Sequence, residues 1–253
     1  MQTDRRLKIA EMISEKGSVK VSDLVSIFGK SEMTIHRDLN FLETQGVLHK
    51  SRGGAVRNPS STETNYSFRS NTCLIEKQQI AKVVCDMILD GDTIMIDGST
   101  SAIEVAKQLK NIGKRITVFT HSPLIIYELM NSPSIILYSI GSFFSREMVH
   151  FIGPDVDEQI KALNFSKGIF GVSAIMEDMC LADPYPQLAS IKARIIASSI
   201  ESFALADYTK FGKVAVQRFA HVKDISFIVT DNKVDKGISK IVSESTKLIV
   251  AGC

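Results

Sequence analysis

Seven short runs of apolar residues alternate with amphipathic segments from residue 74 onward, among them IMI, ITVF, IILYSI and ISFIV. A strand that is apolar at every position must be covered on both faces, as in a parallel sheet packed between helices. We therefore predict a doubly wound, mostly parallel α/β domain. The predicted strands cover residues 93–97, 116–119, 135–140, 168–172, 203–206, 225–229 and 248–251, and the predicted helices cover residues 75–89, 101–110, 123–130 and 188–200.

The first 57 residues show a different pattern, of three short helices followed by a hairpin. Apolar residues recur at helical spacing in residues 5–15 and 21–28, and again after Ser31, which is a good N-cap. The short turn before Ser31 is typical of a helix-turn-helix unit, whose second helix enters the major groove of DNA. The runs at 47–48 and 55–56, separated by glycines, predict a small β-wing.

The candidate DNA-contacting residues lie on this recognition helix and wing. The 253-residue chain has a net charge of only +2, whereas residues 1–57 alone carry +3, so any footprint on nucleic acid is local. Periodicity alone fits a protein interaction module almost as well. The candidates are Ser31, Thr34, His36, Arg37, Asn40, Lys50, Arg52, Gly53 and Gly54.

The domain boundaries follow from composition. Residues 58–74 are polar and contain a Ser/Thr cluster, which predicts a linker between a domain at 1–57 and one at 75–253. The four cysteines form no metal-binding or redox motif, and we expect no cofactor and no metal site. No apolar run is long enough to span a bilayer, so we expect a cytoplasmic protein that does not bind membranes.

Polar residues follow the predicted strands at the edge where parallel sheets bind ligands. The segment 97–101 runs from a strand directly into a helix, and its small residues and hydroxyls suit an anion such as phosphate. A merely structural helix cap explains this segment about equally well. Lys210 offers a cation for a phosphate and Asp207 an acceptor for sugar hydroxyls. The other strand-end candidates are Thr120, Ser122 and Gly141.

Specific motifs add a family resemblance. The runs RLKIAEMI, VKVSDL, TIHRDLNFLETQGVL and RGGA resemble the DNA-binding domain of the DeoR family of bacterial transcriptional regulators over residues 5–56. The runs IDGSTSAIEVAKQL, THS and LADYTKFG resemble its sensor domain, which is similar in fold to ribose-5-phosphate isomerase. The resemblance implies that Gly98, Ser99 and Thr100 hold a phosphate, and that Asp97, Thr120, Ser122, Asp207 and Lys210 line a sugar pocket.

The chain departs from the family pattern at several of these positions. His36 stands where the family usually has Arg, and His121 where it usually has Asn. Ser142 follows Gly141 in place of a second glycine, and residues 178–188 lack the acidic cluster expected before the next helix. These differences bear on the operator sequence and on the identity of the ligand.

We therefore predict a transcriptional repressor that binds double-stranded operator DNA as a homodimer or homotetramer and responds to a phosphorylated sugar. The alternative is a sugar-phosphate isomerase-like enzyme with a fused interaction module, but the chain has no acidic run suited to an isomerase base and no nucleotide-binding motif. In a third hypothesis the α/β domain serves only to dimerise.

Overall fold

The computed structural model describes residues 2–57, 66–141 and 143–252 and divides the chain into two compact units, Met1–Thr72 and Cys73–Cys253. Each unit has its own hydrophobic core. Residues 58–65 of the predicted linker lie outside the described residues, and so does Ser142.

The first unit is a winged helix-turn-helix, as predicted. Its three-stranded antiparallel sheet has the order β1-β3-β2, and Ile35, Leu39 and Leu42 of the third helix are fully buried beneath it. Phe68, in a short helix within the predicted linker, packs against the same core. The elements are α1 (Gln2–Lys16), β1 (Ser18–Lys20), α2 (Val21–Phe28), α3 (Glu32–Thr44), β2 (Leu48–Ser51), β3 (Gly54–Arg57) and α4 (Tyr66–Asn71).

An ion-pair cluster joins the first and third helices of this unit. The carboxylate of Asp38, in α3, accepts from Arg5 Nε at 2.6 Å and from Arg6 Nε at 2.8 Å, and the Asp38 side chain is only 1% exposed. The Arg6 guanidinium also lies 3.8 Å from the centroid of the Phe41 ring, in a cation–π contact. These contacts fix the recognition helix against α1.

The second unit is built on a seven-stranded, fully parallel sheet with the order β15-β14-β12-β9-β4-β5-β6. Its elements are α5 (Leu74–Asp86), β4 (Thr93–Ile96), α6 (Thr100–Leu109), β5 (Ile116–Thr120), α7 (Pro123–Leu129), β6 (Ile135–Ser139), β7 (Phe143–Ser145), β8 (His150–Ile152), α8 (Pro154–Lys161), β9 (Phe165–Gly171), β10 (Ala174–Ile175), β11 (Cys180–Asp183), α9 (Pro186–Ala197), β12 (Ser199–Leu205), β13 (Gln217–His221), β14 (Phe227–Asp231), α10 (Lys236–Ser245) and β15 (Lys247–Ala251).

All seven predicted strands belong to this sheet, which confirms the predicted fold class. The central strand β9 shows why the pattern was informative, because six of its seven residues are buried. The last predicted helix is displaced: α9 begins with Pro186 at its first turn, and the chain enters β12 at Ser199. The sequence prediction missed α8 and α10.

Two small antiparallel sheets complete the second unit. One is the hairpin of β7 and β8, whose strands pair only with each other, and the other has the order β10-β11-β13. Neither was predicted, because strands of two to five residues carry too short an alternating pattern to be recognised.

We expect Asp38→Asn to destabilise the first unit by about 2–3 kcal/mol, somewhat below the cost of breaking a fully buried pair, since two part-buried arginines lose their charged partner. Amide hydrogen exchange of α1 and α3 in the full chain measures this. Asp23→Asn, at an exposed position of α2, is the control and should change the opening free energy by less than about 0.5 kcal/mol. Unchanged exchange in Asp38→Asn would contradict the assignment.

Candidate functional site

The recognition helix α3 separates cleanly into a buried and an exposed face. Ser31 caps it, accepting from the Thr34 amide at 3.4 Å, and the Ser31 and Thr34 hydroxyls lie 3.0 Å apart. His36, Arg37 and Asn40 are exposed, on the side opposite the buried residues. The structure therefore brings these candidate DNA-contacting side chains onto one face.

Met33 belongs to the same exposed face, and the sequence prediction missed it. Its side chain is 73% exposed, and it lies three and four positions before His36 and Arg37. Extending the helical spacing of the polar candidates backwards by one step would have found it. An exposed thioether on this predicted DNA-contacting face suits contact with the methyl group of thymine.

The wing is attached to this helix by side chains. Lys50 Nζ donates to Asn40 Oδ1 at 2.6 Å, and the Lys50 amide donates to Glu43 Oε1 at 2.8 Å. Arg52 is exposed in the turn between β2 and β3, where Gly53 has a φ of 78°. A basic side chain thus stands at the tip of the wing, and Lys50 is held beside the recognition helix.

Gly54 has a packing role that the sequence did not reveal. It is buried, and a Cβ at this position would lie 2.1 Å from the carbonyl oxygen of Val19. Because Gly54 has no side chain, β3 can pair closely with β1, and this pairing helps to form the wing.

In the second unit, the sheet reverses its order of winding between β4 and β9. The chain adds strands outward from β4 through β5 to β6, then returns to place β9 on the other side of β4. Such a switch point leaves a crevice at the carboxyl ends of the two strands, and ligands of doubly wound folds bind there. The candidate anion segment, residues 97–101, begins at this point.

Asp97 closes the base of this crevice. Its carboxylate accepts from the Ser99 amide at 3.0 Å, from Ser99 Oγ at 2.7 Å and from the Gly171 amide at 3.2 Å, and the residue is 2% exposed. A Cβ on Gly171 would lie 2.3 Å from Ser99 Oγ. Asp97 therefore joins the end of β4 to the end of β9, and its carboxylate oxygens accept hydrogen bonds from within the protein.

The N-terminus of α6 offers free donors above this base. Ser99 caps the helix through the Ala102 amide, at 3.3 Å, whereas the amides of Thr100 and Ser101 have no hydrogen-bond partner among the described residues. Free amides at the positive end of a helix dipole attract an anion. The geometry alone fits a phosphate or a carboxylate.

Two buried side chains beside this helix end lack partners. Ser122 Oγ and His121 Nε2 have none among the described residues, although both residues are at least 99% buried. Ser122 lies directly against the anion segment, since its Cβ would be 2.7 Å from a Cβ built on Gly98. Thr120 supports the turn by accepting from the Ser122 amide at 3.1 Å. Because an unmade buried hydrogen bond costs free energy, the pair indicates a ligand site.

His121 is held neutral by its surroundings. Burial lowers the pKa of the imidazole, and the nearby Lys192 lowers it too, while Asp97, Asp157 and the Phe151 carbonyl oppose the shift. Nδ1 lies 3.1 Å from that carbonyl and donates to it, so Nε2 is the acceptor in the neutral ring.

Four further residues near the crevice were not found from the sequence. His150 of β8 packs its ring 4.9 Å from the His121 ring and against Gly98. Lys192 of α9 and Asp183 of β11 form a buried ion pair, and Ser173 Oγ donates to the same carboxylate at 3.2 Å. These residues are far apart in the chain and belong to no local motif, so only the fold brings them together.

Asp207 and Lys210 lie at a separate cluster, after strand β12. Lys210 Nζ is 3.9 Å from Asp207 Oδ2, and the Thr209 amide donates to Asp207 Oδ1 at 3.0 Å. Burial tends to raise the pKa of Asp207, but Lys210, Lys77 and the Thr209 donors outweigh it and hold the pKa below its usual range. Among the described contacts, none joins Lys210 to residues 98–101.

The same cluster contains a second buried acid with the opposite shift. Burial raises the pKa of Asp231, and the charges of Asp207 and Glu76 add to that effect, although the Tyr208 and Lys233 amides oppose it. Lys233 Nζ lies 2.5 Å from Glu76 Oε1. The remaining candidate, Gly141, has a φ of 122° and donates its amide to Gln159 Oε1 at 3.2 Å.

Other chemistries find little support in the described part of the chain. No group of three His, Cys, Asp or Glu side chains there could hold a metal ion, and no described helix is long and apolar enough to cross a membrane. Burial raises the pKa of the Cys73 and Cys85 thiols to about 12, so neither is a reactive thiolate.

A winged helix with an exposed recognition face, and a parallel α/β unit with a candidate anion site, together define a ligand-responsive DNA-binding regulator. The chain belongs to the DeoR family: residues 5–61 match the DeoR-like helix-turn-helix domain, and residues 73–232 match the DeoR C terminal sensor domain. It is a DNA-binding transcriptional regulator, which confirms the predicted family and function.

Relatives that align over 90% or more of this chain are also named as transcriptional regulators or repressors. The chain is 30% identical over 98% of its length and 96% of the relative's to the uncharacterized HTH-type transcriptional regulator YulB of Bacillus subtilis (strain 168). It is 31% identical, over 90% of this chain and 89% of the other, to the transcriptional repressor AccR of Agrobacterium fabrum, and 29% identical, over 99% and 100%, to the lactose phosphotransferase system repressor of Lactococcus lactis subsp. lactis. These relatives are named as regulators, not as enzymes, which favours the regulator over the isomerase-like alternative.

Solved structures with similar folds are more distant. Ribose 5-phosphate isomerase A from Methanocaldococcus jannaschii aligns over 56% of this chain and 57% of its own, with 15% identity and a TM-score of 0.42. Translation initiation factor eIF-2B from Pyrococcus horikoshii OT3 aligns over 90% and 86%, with 16% identity and a TM-score of 0.49.

The buried His121 makes a prediction about pH. Since its folded pKa lies below the unfolded value of about 6.5, acidification through that value protonates the unfolded chain first, and stability falls by up to about 1.4 kcal/mol per pH unit. His121→Asn keeps a donor for the Phe151 carbonyl but cannot titrate. Urea unfolding between pH 7.5 and 5 should show a shallower loss in this variant, and an unaltered slope in the control His221→Asn. Equal slopes in His121→Asn and wild type would contradict the prediction.

Proposed function

We propose that the protein is a repressor whose affinity for operator DNA is set by a phosphorylated sugar bound in the second unit. The observation that carries the sensor half is the pair of unpartnered buried groups, Ser122 Oγ and His121 Nε2, beside the free amides of α6. The name of the lactose phosphotransferase system repressor supports a link to sugar metabolism.

On the DNA side, we assign base contacts to α3 and backbone contacts to the wing. Arg37 is the best placed to make a bidentate contact with guanine, flanked by Thr34, His36 and Asn40. Lys50 and Arg52 neutralise phosphates, while Ser31, Gly53 and Gly54 shape the helix start and the wing. In the free protein Lys50 is bonded to Asn40, so DNA binding exchanges that bond for a phosphate.

In the sensor we assign the phosphate to Gly98, Ser99 and Thr100, with Ser122 as an added donor. Asp97 and Thr120 hold this end of the site in shape through their own hydrogen bonds. Asp207 and Lys210 are assigned to the sugar end of the ligand, and Gly141 to the wall. Among the described contacts, none joins the phosphate end of the site to the sugar end. A ligand that uses both ends must therefore be long enough to reach from one to the other.

Two copies are needed for the paired half-sites that helix-turn-helix proteins usually recognise, so we propose a homodimer or homotetramer acting in the cytoplasm. Repression is relieved when the ligand binds the arrangement that fits DNA poorly, because a ligand with equal affinity for both arrangements shifts nothing.

The recognition assignment predicts distinct effects for Arg37 and Arg52. Arg37→Ala should weaken binding to the operator by about 1–3 kcal/mol and relax the preference at one base pair. Arg52→Ala should weaken all sequences alike and lower the salt slope by about 0.9. Gel-shift titrations at several salt concentrations distinguish the two effects, with Arg115→Ala, exposed in the second unit, as control. Unchanged affinity and preference in Arg37→Ala would refute the assignment.

The sensor assignment predicts that Ser122→Ala separates binding from stability. Removal of a hydroxyl with no partner leaves the ligand-free stability nearly unchanged, but a phosphate loses a charge-assisted bond and about tenfold in affinity. Calorimetry with a panel of sugar phosphates, together with urea unfolding, measures both. The conservative Ser122→Thr retains a hydroxyl and should bind better than Ser122→Ala. Sugar-phosphate binding that is equally tight in Ser122→Ala and wild type would remove Ser122 from the site.

A further inference from the structure

The space over Gly98 is filled by a side chain of the protein itself. A Cβ built on Gly98 would lie 2.3 Å from His150 Nε2 and 2.7 Å from His150 Cδ2, and His150 is 4% exposed. The imidazole therefore packs directly on the glycine that opens the anion segment. Any ligand group that approaches the same face of Gly98 competes with this ring for space.

His150 comes from the hairpin of strands β7 and β8. Among the described strands, β7 and β8 pair only with each other, and Phe143 and Phe144 are 65% and 40% exposed. Two hydrogen bonds join the hairpin to His121: the Phe151 amide donates to the His121 carbonyl at 2.9 Å, and His121 Nδ1 donates to the Phe151 carbonyl at 3.1 Å. Met148 and Phe151 also pack on the core of the unit. The hairpin therefore joins the rest of the unit mainly through side-chain packing and its bonds to His121, and its opening must release Met148 and Phe151 from the core.

Glycines flank the hairpin on both sides. Gly141 precedes it with a φ of 122°, and Gly153 follows it with a φ of 120°. Side-chain-bearing residues rarely adopt these angles, whereas glycine adopts them freely and can change them freely. Small residues at both ends of a segment are typical of hinges that absorb backbone rotation when a lid moves.

The hairpin also has a strained backbone residue next to His150. Val149, a β-branched residue, has a φ of 61°, and its amide donates to the Ser145 carbonyl at 2.8 Å. Strained residues of this type are retained where the surrounding contacts enforce them, often at sites that switch. Here the strained residue directly precedes His150, whose Nδ1 donates to the Met148 carbonyl.

In the tautomer whose only proton is on Nδ1, as the bond to the Met148 carbonyl requires of a neutral ring, the acceptor is Nε2, the atom that faces Gly98. An acceptor near the positive end of a helix is electrostatically favourable, as an anion would be. The imidazole therefore partly substitutes for the anion when no ligand is bound.

We propose that the hairpin of residues 143–152 is a lid and that His150 is its plug, which a phosphate must displace to reach Gly98 and the N-terminus of α6. This inference rests on the proposed sensor function. It also gives that function a moving element: ligand binding favours the open hairpin, and the two hinge glycines allow the change. The chemical class of ligand is a phosphate monoester or phosphate itself.

The test compares wild type with His150→Ala, using inorganic phosphate and a panel of sugar phosphates as probes in calorimetry. Removing the plug should tighten phosphate binding at least about fivefold, because the ligand no longer displaces the ring. His221→Ala removes an imidazole elsewhere in the same unit and should bind as wild type does. In parallel, saturating phosphate should accelerate hydrogen exchange of residues 143–152 in the wild type while protecting residues 98–102.

The outcomes separate this inference from the proposed function. Weaker phosphate binding in His150→Ala, or protection of the hairpin by phosphate, would overturn the plug and make His150 a ligand contact while the sensor function stands. Equal binding in both proteins would also overturn it. If wild type binds no phosphate or sugar phosphate, the proposed effector fails; the plug is then supported if His150→Ala gains phosphate binding and is overturned if it does not.

Discussion

The reversal of strand order between β4 and β9 is the constraint on which the second unit depends. Where the connections after two adjacent parallel strands run to opposite sides, a crevice is left at the carboxyl ends of those strands. The backbone groups that line the crevice must still find hydrogen-bond partners. Asp97 closes the base of this crevice, because its carboxylate accepts hydrogen bonds both from the start of α6 and from the Gly171 amide. Among the described residues, the amides of Thr100 and Ser101 have no partner, so the candidate anion site follows from how the sheet is wound.

The parts of the fold that the sequence predicted are those with a local physical signature. The seven sheet strands are continuous apolar runs because both faces are covered, and the recognition helix shows its buried face at helical spacing. The hairpin strands β7 and β8 have three residues each, too few for a pattern, and α8 and α10 were overlooked although both are amphipathic.

The candidate site was predictable only in part, for the same reason. Gly98, Ser99 and Thr100 are contiguous and follow a strand, so their sequence indicates an anion segment. His150 packs on Gly98 from 52 positions away, and Lys192 reaches Asp183 from a different element. Contacts of this kind depend on tertiary structure alone. The packing role of Gly54 could not be predicted for the same reason, because the carbonyl against which it packs belongs to Val19, in another strand.

The two clusters at the edge of the sheet limit how a ligand can lie. Asp97 follows β4 and Asp207 follows β12, with β9 between them, so the clusters are at least about 10 Å apart. Lys210 Nζ lies 3.9 Å from Asp207 Oδ2, which places this cation in the Asp207 cluster. Lys192 acts electrostatically on His121 and is the closer cation to the start of α6, although Asp183 balances its charge. Under the proposed assignment, a ligand that uses both clusters places its phosphate at α6 and its hydroxyls toward Asp207, and an extended sugar phosphate fits that arrangement better than free phosphate does.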